Sequence, residues 1–226
     1  MIICNSKKFV FVHIPKCGGT SISTVLESQL LPQDITLNLN PNNGWKEYIK
    51  AYHNKFGLYK HSTAAEVAKA MKPSYLRRYY VFTFCRNPFA RAYSAYKFTL
   101  RADEKHRPSS ERYKEIKDMS FEQFLQSRYV QDHMLLATKL QSSWISNSPV
   151  SVNVFKLEEA QESLVILFDK FYPLSAKRAK LPRANSSTVA NEWVNMSSLA
   201  EDIIRSCYDE DFHAFGYLNY IERQMV

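Results

Sequence analysis

The 226-residue sequence has five glycines, four cysteines and no apolar run approaching the length of a membrane span. A transmembrane helix is therefore not expected. The cysteines, Cys4, Cys17, Cys85 and Cys207, form no CxxC pair. That spacing argues against a zinc site or a disulfide framework and favours a reducing compartment. The opening MIICNSKKFVFVH has a short apolar run and no small-residue cleavage site, so it does not read as a signal peptide, and a cytoplasmic location is expected. Neither an internal repeat nor a low-complexity linker breaks the chain, which reads as one domain over residues 1–226. Against so few glycines, the adjacent pair Gly18-Gly19 stands out.

What is present is basic. A formal net charge of +8 suggests an anionic partner, whether nucleic acid, nucleotide, acidic glycan or membrane surface. Three apolar, β-branched and aromatic runs read as strands: Phe9 to His13, Tyr79 to Cys85 and Val152 to Leu157. Helices are predicted from Thr20 to Leu31, from Glu158 to about Phe171 and from Ser197 to Tyr208. A short helix is expected over Trp45 to Tyr52, and the Asn- and Pro-rich Pro32 to Asn43 reads as a loop. Thr63 with Glu66, and Ser120 with Gln123, match capping boxes, and Pro88 suits the first turn of another helix. Leu100 to Asp118, dense in charge, reads as a solvated excursion outside the core. Strands alternating with helices predict an α/β fold with a central, mainly parallel sheet.

Ligands of such sheets bind beyond the carboxyl ends of the strands. The first strand leads into HIPKCGGTS, where two glycines allow close backbone approach to an anion, Thr20 and Ser21 add hydroxyls, and Lys16 adds a point charge. It is not the nucleotide P-loop, in which the lysine follows the glycines. Nor does a strand end in an acidic magnesium ligand. The second strand instead delivers Arg86, and Ser94 follows eight residues later in CRNPFARAYSAY. Arg86 suits bidentate phosphate contact and Ser94 a single hydroxyl bond, although pairing with an acid and simple packing are equally open from these residues alone.

Together the two stretches resemble the signature of sulfotransferases that use 3′-phosphoadenosine 5′-phosphosulfate (PAPS). HIPKCGGTS is similar to the 5′-phosphosulfate loop and RNPFARAYSAY to the 3′-phosphate motif. The HIPK and GGTS variant is closest in kind to the carbohydrate enzymes of sulfotransferase family 2, including the heparan sulfate 2-O and 6-O group, and to its compact bacterial members. KHSTAAEV, SFEQFL, LPRANSST and YDEDFHAFGY extend the likeness over nearly the whole chain. One departure is Cys17, where a Thr is common, which leaves its backbone N–H as the contribution. The resemblance implies a P-loop-like fold, with Lys16 on the bridging oxygen and Cys17, Gly18, Gly19, Thr20 and Ser21 around the 5′-phosphosulfate. It also implies Arg86 and Ser94 on the 3′-phosphate, and Arg183 with Ser186 or Ser187 in a closing loop from Leu181 to Thr188.

Sulfuryl transfer needs a base for the acceptor hydroxyl and stabilisation of charge on the leaving phosphate. Lys16 supplies the second, and no metal is required. Among six histidines His61 is the candidate base, because it lies between the two motifs at a helix start and resembles the catalytic histidine of the heparan 2-O enzymes. His13 reads as a buried residue orienting the turn. The expected acceptor is a hydroxyl of a saccharide or glycoconjugate, acidic ones included, with adenosine 3′,5′-bisphosphate as the other product. Two competing readings are an ATP-dependent phosphotransferase with an atypical phosphate loop and a basic nucleic-acid-binding protein. The first lacks acidic metal ligands, and the second lacks a cluster of basic and aromatic residues in any recognisable motif.

Overall fold

The computed structural model describes residues 1–37, 46–173 and 196–218. In chain order the elements begin with β1 (Ile2–Cys4), β2 (Phe9–Val12), α1 (Gly19–Glu27), β3 (Ile35–Thr36), α2 (Lys46–Phe56), α3 (Ala64–Met71), α4 (Pro73–Leu76) and β4 (Tyr80–Cys85). They continue with α5 (Pro88–His106), α6 (Glu111–Ile116), α7 (Phe121–Gln126), α8 (Arg128–Gln131), β5 (Asn153–Lys156), α9 (Ala160–Phe171), α10 (Ser198–Cys207) and α11 (Asp209–Ala214). Two compact units are formed, one from Met1–Cys85 with Ser143–Asn185, the other from Arg86–Ser142 with Ser186–Val226.

The first unit holds the sheet, ordered β3-β1-β2-β4-β5. β2 pairs in parallel with β4, and β4 with β5, whereas β1 is antiparallel to both β2 and β3. The fold is therefore α/β, but the sheet is mixed rather than mainly parallel. The antiparallel half rests on strands of three and two residues, too short to carry a periodic signal, and β3 lies inside the stretch expected to be loop.

Strand alternation explains why FVFV is apolar throughout: successive side chains go to opposite faces, and both faces are covered. Ile2, Phe9, Phe11, Phe82 and Phe84 pack with Ile22 and Leu26 of α1 and Leu164, Leu167 and Phe168 of α9. Ile3, Val10, Val12 and Val81 pack on the other side with Val67 and Ala68 of α3, Leu76 of α4, and Trp144. The buried Thr83 hydroxyl donates to the Val12 carbonyl at 2.8 Å and ties the C-terminal ends of β2 and β4 together.

In the second unit, Asn87 caps α5 by accepting from the Phe89 N–H at 2.9 Å, and Pro88 occupies the first helical position. The charged Leu100–Asp118 segment is not a solvated excursion. α5 runs through it to His106, Asp103 is buried and gripped by both guanidinium arms of Arg112, and Ile116 of α6 is fully buried. Charge density there marks the outer helix faces and one internal ion pair. Phe212, Phe215 and Tyr217 of the tail are buried, with Phe212 packed 5.0 Å from Phe89 between ring centroids. No helix among the described residues is long and apolar enough to cross a membrane.

Candidate active site

β2 ends at Val12, and the chain turns through His13 to Gly18 before α1 begins at Gly19. Lys16 has φ 68° and Gly18 has φ 68°, while Cys17 and Gly19 do not share that left-handed state. Such alternation turns successive N–H groups toward one side, the geometry of an anion-binding concavity. Gly18 caps α1 without any side-chain bond, and no acidic residue stands in the first turn. The positive end of this nine-residue helix thus has no acid of its own first turn to neutralise it.

Gly19 is required sterically, and Gly18 chiefly for its left-handed backbone. A Cβ on Gly18 would meet Leu157 Cδ1 at 2.3 Å, and one on Gly19 would meet the His13 ring at 2.2 Å. His13 is buried, stacks on Phe11 at 5.8 Å and sits edge-on to His61 with ring centroids 4.6 Å apart. Lys16 is half-buried, Thr20 exposed and Ser21 buried. The Cys17 thiol points into the core and donates to the Pro15 carbonyl at 3.6 Å. Its side chain therefore faces away from any ligand of the loop, and only its backbone remains as a contributor.

His61 is placed in the same unit by the turn before α3. That turn is closed by the Ser62 N–H on the Tyr59 carbonyl at 3.1 Å and the Tyr59 N–H on the Ser62 hydroxyl at 3.0 Å. The Thr63–Glu66 capping box then starts α3. The His61 carbonyl accepts from the buried Trp144 indole at 2.8 Å, and its ring Nδ1 lies 2.8 Å from the His13 carbonyl. A carbonyl can only accept, so Nδ1 carries the hydrogen and Nε2 holds the lone pair. Burial lowers the His61 pKa to about 4, against the pull of the His13 hydrogen bond, with the Lys60 and Lys16 charges adding to the lowering. The imidazole is neutral at pH 7, with Nε2 available to take a proton.

In the second unit Arg86 is held by its backbone. Its N–H donates to Gln141 Oε1 at 2.8 Å, and Gln141 Nε2 donates to its carbonyl at 2.9 Å. The clamp is itself anchored, because the buried Asp211 carboxylate accepts the Gln141 and Ser142 N–H groups, each at 2.9 Å. Ser94 is half-buried within α5. Nothing in the local sequence around Gln141, Asp211 or Trp144 announces these roles. Partners 55 and 70 residues apart leave no local signal. Arg183, Ser186 and Ser187, with the rest of the Leu181 to Thr188 stretch, lie outside the described residues. Among those residues no three His, Cys, Asp or Glu side chains gather into a metal-binding group.

The family model described as Sulfotransferase family, of the family 2 type, matches residues 1–218, spanning both units and both anion-type motifs. The chain belongs to the sulfotransferase family. No curated protein and no solved structure matches it significantly. As a sulfotransferase it moves a sulfuryl group to an acceptor.

Proposed function

We propose that this sulfotransferase, acting as one domain in the cytoplasm, transfers the sulfuryl group of PAPS to a hydroxyl of a carbohydrate or glycoconjugate. The observation that carries the reading is the state of His61: neutral, its Nδ1–H fixed on His13, its Nε2 lone pair available, and close enough to Lys16 to feel its charge. The uncapped, acid-free start of α1 and the left-handed Lys16 and Gly18 fit a phosphosulfate group.

Bound PAPS supplies an activated sulfuryl group whose departure leaves negative charge on the phosphate oxygen. His61 Nε2 takes the proton of the acceptor hydroxyl as that oxygen forms its bond to sulfur. Lys16 stabilises the charge that grows on the leaving oxygen. The N–H groups of Cys17 to Ser21 and the Thr20 and Ser21 hydroxyls hold the 5′-phosphate, while Arg86 and Ser94 hold the 3′-phosphate. Arg183, Ser186 and Ser187 are assigned to the closing loop.

Calorimetric titration with adenosine 3′,5′-bisphosphate, beside ATP and AMP, tests the donor class. Binding of the bisphosphate alone, weakened in Arg86→Ala, supports the reading. Equal or tighter ATP binding, or none of the three binding, overturns it.

A further inference from the structure

The ends of the strands opposite the His13–Gly19 loop carry a second basic surface. Lys7 and Lys8 lie in the turn from β1 to β2, and Arg77 and Arg78 immediately precede β4. β2 and β4 pair with Phe9 opposite Tyr80, and the Tyr80 N–H donates to the Lys8 carbonyl at 2.8 Å, so the two basic pairs stand side by side. Lys8 Nζ lies 5.1 Å from the Tyr79 ring and 5.8 Å from Tyr75, and the Arg78 guanidinium lies 5.9 Å from Tyr75. From α9, Lys170 Nζ comes 4.6 Å from Tyr80, while Lys7 Nζ sits 5.5 Å from Tyr172 just beyond that helix. Lys72, exposed at the α3–α4 junction, adds a sixth cation, and none of the six is in an ion pair among the described residues. Asp34 beside the turn is buried and already accepts from Ser6 and Leu31, which leaves Asp169, next to Lys170 in the chain, as an exposed acid.

Backbone strain is a second, independent observation. Lys8 has φ 56° and Lys72 has φ 68° with ψ 135°, positions where glycine is the unstrained residue. The third lysine in that state is Lys16 of the candidate anion loop. Strained side chains held at a cost to the fold mark sites where the side chain is needed.

We infer that this pole docks on an anionic phospholipid bilayer. Its cations come from the β1–β2 turn, the α3–α4 junction, the lead-in to β4 and α9, so no single element carries them as a continuous row of the kind that tracks a linear polyanion. The Tyr75, Tyr79, Tyr80 and Tyr172 rings each carry one of the protein's own cations, which competes with the stacking of bases. Tyr75, 41% exposed, and Leu31, 49% exposed, stand at its edge and suit the headgroup region of a bilayer. Docked this way, the first unit turns its His13–Gly19 loop away from the lipid.

Vesicle flotation of the full chain tests this, with phosphatidylcholine vesicles against vesicles that also contain phosphatidylglycerol. Binding to the anionic vesicles alone, abolished by salt, is expected, with each neutralised cation weakening it about fivefold. Lys7→Glu/Arg78→Glu should abolish flotation, and Lys72→Gly should weaken it while raising the melting temperature. Lys16→Ala and Arg86→Ala should float like the wild type, so failure here is separate from failure of the donor assignment. A melt of the double variant confirms its fold. No flotation, equal binding to neutral vesicles, retention in the double variant, or displacement by heparin or DNA at matched charge would overturn the inference.

Discussion

The His61 imidazole donates its Nδ1–H to the backbone carbonyl of His13, 2.8 Å away and 48 residues earlier in the chain. Because His13 also lays its ring over Gly19, one residue links the candidate base to the candidate anion loop. Substitution on either side should be felt on the other.

His61→Gln should bind adenosine 3′,5′-bisphosphate normally and lose about 10²- to 10⁴-fold in kcat, the usual worth of general-base catalysis. Full turnover in that variant, with binding intact, would remove His61 from the chemistry.

Acid stability separates the same two proteins. With the folded pKa at about 4 and the unfolded value near 6.5, the unfolded chain binds more protons through that window. Wild type should therefore lose stability as pH falls from 6.5 toward 4. His61→Gln should lose less over the same range, as read by urea midpoints at each pH.

Anion binding at the neighbouring loop should raise the His61 pKa from about 4. Between the free and bound values, bisphosphate binding should take up protons and tighten as pH falls. Titration in buffers of different ionisation heat checks the sign, and His61→Gln should abolish the uptake.

Gly19→Ala drives a Cβ into a rigid, buried ring. It should cost about 1–3 kcal/mol of stability, as overpacking does, and lower kcat by displacing the carbonyl that orients His61. Gly18→Ala meets the mobile tip of Leu157, so its cost should be chiefly the left-handed backbone, about 1–2 kcal/mol. Paired Leu157→Ala should relieve little of it, as thermal melts would show.

Asp211→Ala strands two buried N–H donors and should destabilise by about 3 kcal/mol. Gln141→Leu releases the Arg86 backbone from both of its amide bonds. A tenfold loss of bisphosphate affinity is expected, roughly the effect of one misplaced charged hydrogen bond, measured by the same calorimetry.

The local parts of this arrangement were legible in the sequence. The Thr63–Glu66 and Ser120–Gln123 capping boxes, Pro88 at a helix start and the glycine pair each write their geometry within a few residues. β1 and β3 were not legible, because three and two residues give no period to read, and their absence made the sheet look parallel. Asp103 hid in a run of charge, since only its partner Arg112 distinguishes a buried acid from a solvated one. The clamps on Arg86 and His61 are contacts across 55 and 48 residues, fixed by packing alone.

The pairing of β2 with β4 also sets an order of events during synthesis. The HIPKCGGTS loop leaves β2, yet Val12 is aligned by Thr83, 71 residues later, and β4 is covered in turn by β5. Closing so long a crossover is slow compared with forming α1 or α3. A nascent chain that has exposed the whole loop motif therefore still lacks the strand that shapes it, and competence to hold an anion should emerge late in translation, after β5.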